Sequence, residues 1–514
     1  MKPSRYQTTI YKVFQKTKKD INISAVAGSG KTTVLLELLN YIPNDASSLF
    51  LAFNNSIIDE LKERNKRRDV EIMTIHSCGW RSILSRYGGR VKMNPNKGIA
   101  KTERALKGFE DIPEQKRGWY YFIIPKILDL MRCNLCENTE EAINELSEHY
   151  DLNIGETEVK VAMKAFELLI KDKGQFDFMD MIYVPVTDPS IRFRKYDYVF
   201  CDESQDFSIC QHQFIKNCLN RKGRLVTVGD KRQAIYGFAG ADAESYERLA
   251  NINGQAIKLP LSVSYRCAVN IVKEAQRIVP EISYAPNAEE GTVKDGSLTE
   301  IEQGDWILCR NLKPLVQTYL WLMKNKIKSK IRGKEIGEGI LGLISKTGAK
   351  TINGLFSMLE VEKNNLLRKL EKRGVRKPSL HPKMEVLQQK IEVIECLCEE
   401  VESVAELKKL IDNIFSDDIK GIMLSTIHKA KGLENERVFF LLPDIIPSKY
   451  ATQPWQIEQE MNLKYVATTR AKHTLIKVYS STFLEVRLCY ESLCYYLQNN
   501  LFSQRKDIHW TTLC

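Results

Sequence analysis

A short segment near the start of the sequence has the residue types and spacing that bind phosphate. Residues 25–33 read AVAGSGKTT, follow a β-like run at 21–24 and precede an apolar helical pattern at 34–39. This order predicts a strand, a glycine-rich turn and a helix. Backbone N–H groups of such a turn and the N-terminus of its helix surround phosphate oxygens. The segment therefore predicts a nucleotide site of the P-loop type.

Four residues of this loop have an expected task in phosphate binding. Gly28 and Gly30 allow close approach of the backbone, Lys31 reaches the β and γ phosphates, and Thr32 offers its hydroxyl to Mg²⁺. The strict pattern has glycine where this chain has Ala25, but the strand and helix context supports the assignment. The loop residues expected to contact ATP are Ala27, Gly28, Ser29, Gly30, Lys31, Thr32 and Thr33.

A second motif places carboxylates at the end of another strand. The β-rich run 196–201 ends in Asp202 and Glu203, and such positions face the ligand crevice of an α/β sheet. Asp202 is expected to hold Mg²⁺ through water, and Glu203 to orient and deprotonate the attacking water. A third β-like run, 224–230, is followed by Gln233, which suits a sensor of the γ-phosphate.

The composition limits the class of protein. A chain of 514 residues exceeds one ordinary core, so two principal domains are expected. Its net charge of +11 favours a polyanionic partner, although a solvated surface gives the same count. The 13 cysteines follow no disulfide framework, and no secretory segment or apolar stretch of roughly 20 residues is present. We therefore expect a cytoplasmic protein.

The order of the motifs along the chain resembles the UvrD/Rep/PcrA DNA helicases of superfamily 1. Seven blocks carry the resemblance: GSGKTT at 28–33, TIHS at 74–77, DESQD at 202–206, VGDKRQAIY at 228–236, YR at 265–266, TIHKAKGLE at 426–434 and YVATTRA at 465–471. Two segments, FNNSII at 53–58 and IHKAKGLE at 427–434, are similar to the F-box DNA helicase branch and its bacterial and phage relatives. No F-box segment is expected before the motor.

The resemblance implies an α/β fold with two RecA-like P-loop motor domains, parallel sheets flanked by helices, mainly helical insertions, and ATP between the motor domains. Gln7 is similar to the adenine-reading glutamine of the family, and Tyr265 would stack on the adenine ring. Arg266 and Arg470 would reach the γ-phosphate from the second motor domain. Two residues are similar to family acids near the nucleotide and the DNA path: Glu434 and Glu460.

The DNA contacts implied by the resemblance combine aromatic faces with polar groups. The candidate residues are Phe53, Asn55, His76, Tyr236, Phe238 and His428. Phe238 stands where relatives commonly carry tryptophan, and Ala239 where they carry arginine, which weakens two expected contacts. Ser56 similarly departs from the lysine of many relatives. Trp80 either stacks on a base or packs its helix, and packing is favoured.

The resemblance also divides the chain into parts. They are residues 1–85 and 176–256 for motor domain 1A, 86–175 for the helical insertion 1B, 257–345 and 419–485 for motor domain 2A, 346–418 for a small 2B-like helical insertion, and 486–514 for a helical tail. A regulatory arm and a solvated helical bundle remain equal alternatives for the 2B-like insertion.

Three functions stay open at this point. The leading hypothesis is a 3′-to-5′ DNA helicase or translocase that uses Mg²⁺ and ATP on single-stranded DNA and its junctions with duplex, in replication, repair or recombination. The second is an ATP-gated remodelling or regulatory subunit with weak unwinding, paired with a separate protein such as a nuclease in a defence system. The third is an RNA helicase, because stacking and phosphate contacts do not exclude RNA.

Overall fold

The computed structural model describes residues 3–483 except for 53–54, 66, 90, 113, 151, 153, 238–239, 242–243, 372–377, 381 and 419–420. Within helices, the side chains at 55–57, 60, 114–116 and 382, and that at 380, are outside the description as well. The helical tail expected at 486–514 lies outside the described residues.

The part of the chain up to residue 261 builds the first sheet and its helices. Its strands are β1 Ile21–Ala25, β2 Ser48–Ala52, β3 Val70–Thr74, β4 Lys92–Met93, β5 Gln175–Phe176, β6 Tyr196–Cys201, β7 Leu219–Gly229 and β8 Ile257–Leu261. Its helices are α1 Arg5–Lys16, α2 Lys31–Leu39, α3 Asn55–Arg64, α4 Ile75–Tyr87, α5 Lys97–Leu106, α6 Glu114–Asn134, α7 Glu140–His149, α8 Glu156–Lys171, α9 Asp180–Thr187, α10 Ile209–Cys218 and α11 Ser245–Ala250.

Six of these strands form a parallel sheet in the order β3-β2-β6-β7-β1-β8. A parallel sheet is covered by helices on both faces, so its strands are apolar along their whole length. The strand β2 shows this pattern, since all five of its residues are buried. The phosphate loop follows β1 and the carboxylates follow β6, so both motifs lie at the carboxyl edge of this sheet.

The last strand of the first sheet comes later in the chain than expected. Residues 257–261 were assigned to the second motor domain, but β8 pairs in parallel with β1, with Ile21 opposite Ile257 and Ala25 opposite Leu261. The first sheet therefore extends one strand past the expected boundary at residue 257. The physical reason is that an edge strand and an opening strand of the next domain have the same short apolar pattern.

The rest of the described chain builds a second parallel sheet in the order β11-β16-β15-β12-β14-β13. The six strands of this sheet are β11 Thr292–Asp295, β12 Trp306–Cys309, β13 Ser329–Ile331, β14 Ile422–Thr426, β15 Asn435–Leu441 and β16 Ala471–Val478. Two shorter strands, β9 Val263–Ser264 and β10 Ser283–Tyr284, pair with each other in a separate parallel pair. The helices are α12 Val269–Gln276, α13 Leu312–Lys324, α14 Lys334–Thr347, α15 Ile352–Glu371, α16 Pro382–Cys398, α17 Val404–Ile414 and α18 Pro454–Thr468. The expected α/β class with two parallel sheets is confirmed.

The first insertion, α5 to α8, has an apolar core of its own. Residues such as Ile123, Ile127, Val161 and Phe166 are fully buried within it. The pair β4 and β5 closes its base, where the chain leaves and re-enters the first motor domain. The insertion is thus a helical unit attached by two adjacent connections.

The second insertion shares its core with the second sheet. Side chains of α14 to α17, such as Ile344 and Leu407, belong to the same buried cluster as Ile307 and Leu424 of the strands. The helix α14, from Lys334 to Thr347, spans the expected boundary at residue 346. Among the described residues, no helix is both long and apolar enough to cross a membrane.

Candidate active site between the two motor domains

The phosphate loop adopts a backbone that requires glycine at two positions. Gly28 and Gly30 have φ angles of +70° and +80°, in the left-handed region. A Cβ atom at Gly28 would lie 2.4 Å from Cβ of Arg266, so the second motor domain packs directly on this turn. Gly30 is the N-cap of α2, and Lys31 begins that helix. The N-terminus of α2 therefore offers free N–H groups to an anion.

Lys31 meets the carboxylate of Glu203 at the centre of the site. Its ammonium group lies 2.7 and 2.8 Å from the two carboxylate oxygens. Burial would raise the pKa of Glu203, but the charges of Lys31 and Lys431 lower this pKa to about 2. Glu203 is therefore ionised at neutral pH and is held by the lysine that suits phosphate binding.

Asp202 and Thr32 provide oxygen ligands of the kind that Mg²⁺ prefers. The Thr32 hydroxyl donates to Oδ2 of Asp202 at 3.1 Å, and Oδ1 accepts from the backbone N–H of Glu203 at 2.8 Å. Asp202 is buried, and burial together with the charge of Glu203 raises its pKa to about 6. A buried carboxylate with excess negative charge beside a hydroxyl fits a hard divalent cation.

Glu203 also has a strained backbone, with φ +52°. Left-handed conformations of non-glycine residues persist where surrounding contacts hold them, and they occur often at functional sites. Gln205 supplies one such contact, because its amide donates to Glu203 at 2.6 Å while its carbonyl oxygen accepts from Asp230 N–H. The side chain of Gln233 donates to Asp230 at 2.7 Å. The three loops that follow β1, β6 and β7 therefore form one hydrogen-bonded site.

Two arginines approach this site from the second motor domain. Arg266 forms an ion pair with Glu434 and donates to the carbonyl of Thr469 at 3.5 Å. Arg470 is buried and donates to the carbonyls of Val466 and Leu433 at 3.1 and 2.9 Å. Burial lowers the pKa of Arg470 to about 10, so it remains charged at neutral pH.

Gln7 and Tyr265 lie at the other side of the phosphate loop. Oε1 of Gln7 accepts from Ser4 N–H in a capping box of α1. A Cβ atom placed on Gly30 would be 3.5 Å from Nε2 of Gln7, so the amide lies beside the loop. The backbone N–H of Tyr265 donates to the carbonyl of Gly28 at 2.8 Å, and the Tyr265 ring is partly exposed. These positions suit contacts with a purine base above the loop.

Two residues that join the motor domains, Tyr465 and Lys431, have no role predicted from their sequence motifs. The hydroxyl of Tyr465 accepts from Ala27 N–H at 2.8 Å and donates to Asp230 at 3.3 Å. Lys431 donates to Asp206 and to the carbonyl of Gln233, both at 2.6 Å. Both residues lie inside the recognised blocks, but the motif pattern alone does not show which partner a buried hydroxyl or ammonium finds across a domain boundary.

An aromatic pair lies where the first insertion rejoins the first motor domain. His76 stacks on Phe178, with ring centroids 3.7 Å apart and 19° between the planes. Phe178 is 57% exposed, which leaves a large part of its ring accessible. Phe178 was not among the candidate residues, because a phenylalanine in an apolar stretch is ordinarily predicted to be a core side chain. Trp80 contacts the buried ring of Phe176 edge to face, in keeping with the packing alternative.

Tyr236 and His428 meet across the domain boundary. The Tyr236 hydroxyl donates to the carbonyl of His428 at 3.2 Å, and the Lys431 ammonium lies 4.7 Å from the Tyr236 ring centroid. Burial, aided by the charge of Arg310, lowers the pKa of His428 to about 4, so its imidazole is neutral. The remaining candidates Phe53 and Phe238 are outside the described residues, as is the side chain of Asn55.

Two family models match the chain in the order of its two motor domains. The UvrD/REP helicase N-terminal domain matches residues 7–252, and the UvrD-like helicase C-terminal domain matches residues 347–482. The chain belongs to the UvrD/REP helicase family. Membership in this family accounts for the two parallel sheets. It confirms the expected superfamily 1 resemblance and the two RecA-like motor domains.

Individual relatives show how far the similarity extends. The ATP-dependent DNA helicase PcrA of Bacillus subtilis is 27% identical over 286 residues, which are 50% of this chain and 37% of that protein. The F-box DNA helicase protein 1 of Schizosaccharomyces pombe is 24% identical over 533 residues, or 89% of this chain and 55% of that protein. A probable DNA helicase of Mycoplasma pneumoniae is 24% identical over 88% of this chain and 79% of its own length. The match to PcrA thus spans less than half of that relative.

Proposed function

We propose that this protein hydrolyses ATP in the cleft between its motor domains and uses the energy to move along single-stranded DNA and separate duplex, in the 3′-to-5′ direction. The observation that carries the proposal is the placement of Lys31, Asp202 and Glu203 at one sheet edge, with Arg266 of the other domain packed on the phosphate loop at Gly28. Cations contributed by two different domains make hydrolysis dependent on how the domains are arranged.

The chemistry begins with a change of partner for Lys31. A γ-phosphate bound by Lys31 competes with Glu203 for the ammonium group, and a Glu203 released from this ion pair has a higher pKa. A stronger base accepts a proton from the attacking water more readily. Gln205 keeps its hydrogen bond to Glu203 and so preserves the direction of the carboxylate.

Charge that develops on the phosphate oxygens is stabilised from both domains. Lys31 and the N–H groups of the loop act from the first domain, while Arg266 and Arg470 act from the second. Thr32 and Asp202 would hold Mg²⁺, which supplies charge neutralisation on the β and γ phosphates. Gln233, whose amide donates a hydrogen bond to Asp230, is the residue that would contact the γ-phosphate and respond to its loss.

The strand of DNA lies, in this proposal, along aromatic rings near the carboxyl edge of the first sheet. Phe178, stacked on His76, presents a face to a base, and Tyr236 with His428 provides a second contact. Stacking on aromatic rings tolerates any sequence, which suits a translocating enzyme. The chain's excess of 76 basic over 65 acidic side chains favours the phosphate backbone.

A second candidate function is an ATP-gated remodelling subunit that unwinds weakly by itself and works with a separate protein such as a nuclease. One observation favours it. Lys383 of α16 donates to the carbonyl of Leu152 at 3.5 Å, and its ammonium lies 4.1 Å from the Trp119 ring centroid, so the two insertions touch. Insertions held together leave less freedom for the motion that strand separation needs.

Hydrolysis by wild type and by Glu203→Gln tests the leading proposal. We expect single-stranded DNA to stimulate wild-type ATPase activity, and Glu203→Gln to lower kcat by about 10²- to 10⁴-fold while a fluorescent ATP analogue still binds. Glu37→Gln is the matched control, because Glu37 lies on α2 and accepts hydrogen bonds from Asn40 and Tyr41, which directly follow that helix.

The nucleic acid and the direction are tested on the same preparation. Duplexes with a 3′ tail should be unwound and those with a 5′ tail should not. Stimulation without unwinding would favour the remodelling subunit, and stronger stimulation by RNA than by DNA would favour an RNA helicase. Absence of stimulation by either nucleic acid would overturn the motor assignment.

A further inference from the structure

The helix α18 presents three polar side chains to the first motor domain at intervals of three residues. They are Gln459, Asn462 and Tyr465, and this spacing places them on successive turns of one face. Asn462 and Tyr465 are buried, with exposures of 2% and 0%. A buried face made of polar groups needs specific partners.

All three side chains find their partners in the first motor domain. Gln459 accepts from Gly237 N–H at 3.3 Å, and Asn462 donates to the carbonyl of Ala234 at 3.1 Å. Tyr465 donates to Asp230 at 3.3 Å, as described above. The three contacts therefore follow the segment 230–237 in order, from the nucleotide side to the side of Tyr236.

The contact at Gly237 is close enough to depend on glycine. A Cβ atom at this position would lie 2.2 Å from Nε2 of Gln459. Gly237 directly follows Tyr236, one of the candidate DNA contacts. The DNA end of the segment 230–237 and the amino-terminal half of α18 thus cannot move independently without losing this contact.

The contact at Tyr465 joins three parts of the nucleotide site. Its hydroxyl oxygen is bonded to Ala27 N–H at the start of the phosphate loop and to Oδ2 of Asp230. The same Oδ2 atom accepts from Gln233 at 2.7 Å. The helix α18 ends at Thr468, two residues before Arg470. One hydroxyl group therefore connects the phosphate loop, Gln233 and the helix that leads to Arg470.

We propose that Gln459, Asn462 and Tyr465 form a coupling face that transmits the arrangement of the DNA-side segment to the phosphate loop, and that Tyr465 is the positioning residue at its nucleotide end. This proposal rests on the proposed function and deepens it. DNA bound at Tyr236 shifts the segment 230–237, and α18 moves with this segment. The Tyr465 hydroxyl then changes the positions of the phosphate loop and of Gln233 relative to Arg470.

Tyr465→Phe tests the proposal, because it removes one hydroxyl group and keeps the ring that fills the interface. We expect kcat with saturating single-stranded DNA to fall about tenfold, because the substitution removes the two buried hydrogen bonds of the hydroxyl group, to Ala27 N–H and to Asp230. The KM for ATP should change less than twofold, since Tyr465 positions the loop and is not placed on the phosphates. A merely structural role would not separate kcat from KM in this way.

Two further variants complete the experiment. Tyr319→Phe is the matched control, since Tyr319 is a buried tyrosine in the apolar core of the same motor domain, on α13, and should leave kcat and KM as in wild type. Gln459→Ala, at a partly exposed position, tests the DNA end: it should lower the ratio of kcat with DNA to kcat without DNA by several-fold.

The outcomes separate this inference from the proposed function. A wild type whose hydrolysis does not respond to nucleic acid overturns the proposed function. A stimulated wild type with Tyr465→Phe and Gln459→Ala equal to it overturns the coupling face alone. A change in KM without a change in kcat for Tyr465→Phe would likewise overturn the positioning role.

Discussion

Phe178 carries an exposed aromatic ring in the proposed DNA path, and its removal should affect binding more than folding. Phe178→Ala deletes a ring that is 57% exposed and stacked on His76. Base stacking on an aromatic side chain contributes about 1–3 kcal/mol per base. We expect about a tenfold or greater loss of affinity for single-stranded DNA in a fluorescence anisotropy titration at fixed salt.

Phe122→Ala is the control for this prediction. Phe122 is 59% exposed, but it lies on α6 in the first insertion near the Lys383 ammonium. It should leave DNA affinity close to that of wild type. Equal affinity losses for both variants would assign the effect to general loss of apolar surface and would remove Phe178 from the DNA site.

The pH dependence of stability gives a second test at the residue scale. Burial lowers the pKa of His76 to about 4, from 6.5 in an unfolded chain. Between pH 6.5 and 4 the unfolded state binds a proton that the folded state does not, so the free energy of unfolding falls as the pH falls. The contribution of His76 to the free energy of unfolding is fully present above pH 6.5 and is lost progressively as the pH falls towards 4.

Denaturation curves of wild type and His76→Gln between pH 7 and 4 measure this effect. The difference in unfolding free energy between the two proteins should change by at most about 1.4 kcal/mol per pH unit in this window. His473→Gln removes a histidine whose side chain is 46% exposed and controls for the loss of one imidazole. A constant difference between wild type and His76→Gln would show that His76 is not buried in solution.

The candidate nucleotide-site residues can be predicted from the sequence because their chemistry depends on local order. A glycine turn before a helix and acids after a strand are readable one segment at a time. Tyr465 and Phe178 were missed for a different reason. The partner of Tyr465 is 438 positions away in the chain at Ala27, and the exposure of Phe178 follows from how an insertion folds back, which no local pattern encodes.

At the scale of elements, a buried charge cluster joins the first insertion to its motor domain. Lys97 on α5 and Arg132 on α6 bind Asp180 at 2.6 and 2.9 Å, and Arg132 also binds Asp177 at 2.6 Å. Lys97, Arg132 and Asp180 are at most 1% exposed. Phe178 lies between the two aspartates in sequence. The cluster therefore fixes the position of the segment 177–180, which carries the exposed Phe178 ring.

Arg132→Met should destabilise the protein strongly, because it leaves two buried carboxylates without their arginine. Removal of one partner from a buried ion pair costs about 3–5 kcal/mol. Thermal or urea unfolding measures the change, and Arg277→Met is the control, since Arg277 is 73% exposed in its pair with Glu274. An unfolding midpoint equal to that of wild type would show that the cluster does not stabilise the fold.

Element types were easier to predict from sequence than element membership. The prediction of two parallel sheets flanked by helices is confirmed, whereas the two insertions and their bounds were implied by the resemblance and stay predictions. The expected boundary at residue 257 separates β8 from the sheet that it joins, and the expected boundary at residue 346 falls inside α14. Local patterns do not fix such boundaries, because adjacency in a sheet or core is a tertiary property. Local patterns state that a strand forms, not which neighbour it pairs with.

At the scale of the whole molecule, the first insertion contacts the second insertion and the second motor domain. Lys383 of the second insertion lies against Trp119 and Phe122 of the first. In a second contact, His149 of α7 stacks on Trp455 of α18, with centroids 5.7 Å apart. The first insertion therefore touches both the second insertion and the helix that carries the coupling face.

These contacts are weak enough to open during a reaction cycle. A cation–π contact contributes about 0.5–2 kcal/mol, depending on its exposure. Lys383→Ala should therefore shift the molecule towards open arrangements without unfolding either insertion, since both keep their apolar cores. Small-angle X-ray scattering should record a larger radius of gyration, while the unfolding midpoint changes little. Lys363→Ala is the matched control, because the contact recorded for Lys363 is with Glu360 on the same helix, α15.

Unwinding by Lys383→Ala then decides between the two candidate functions. If the contact between the insertions restrains strand separation, as the remodelling alternative requires, the variant should unwind a 3′-tailed duplex several-fold faster than wild type with unchanged DNA-stimulated hydrolysis. If wild type already unwinds efficiently and the variant is no faster, the insertions do not restrain the motor, and the helicase proposal stands without a regulatory arm. A larger radius of gyration is needed for either conclusion, because it shows that the contact was broken.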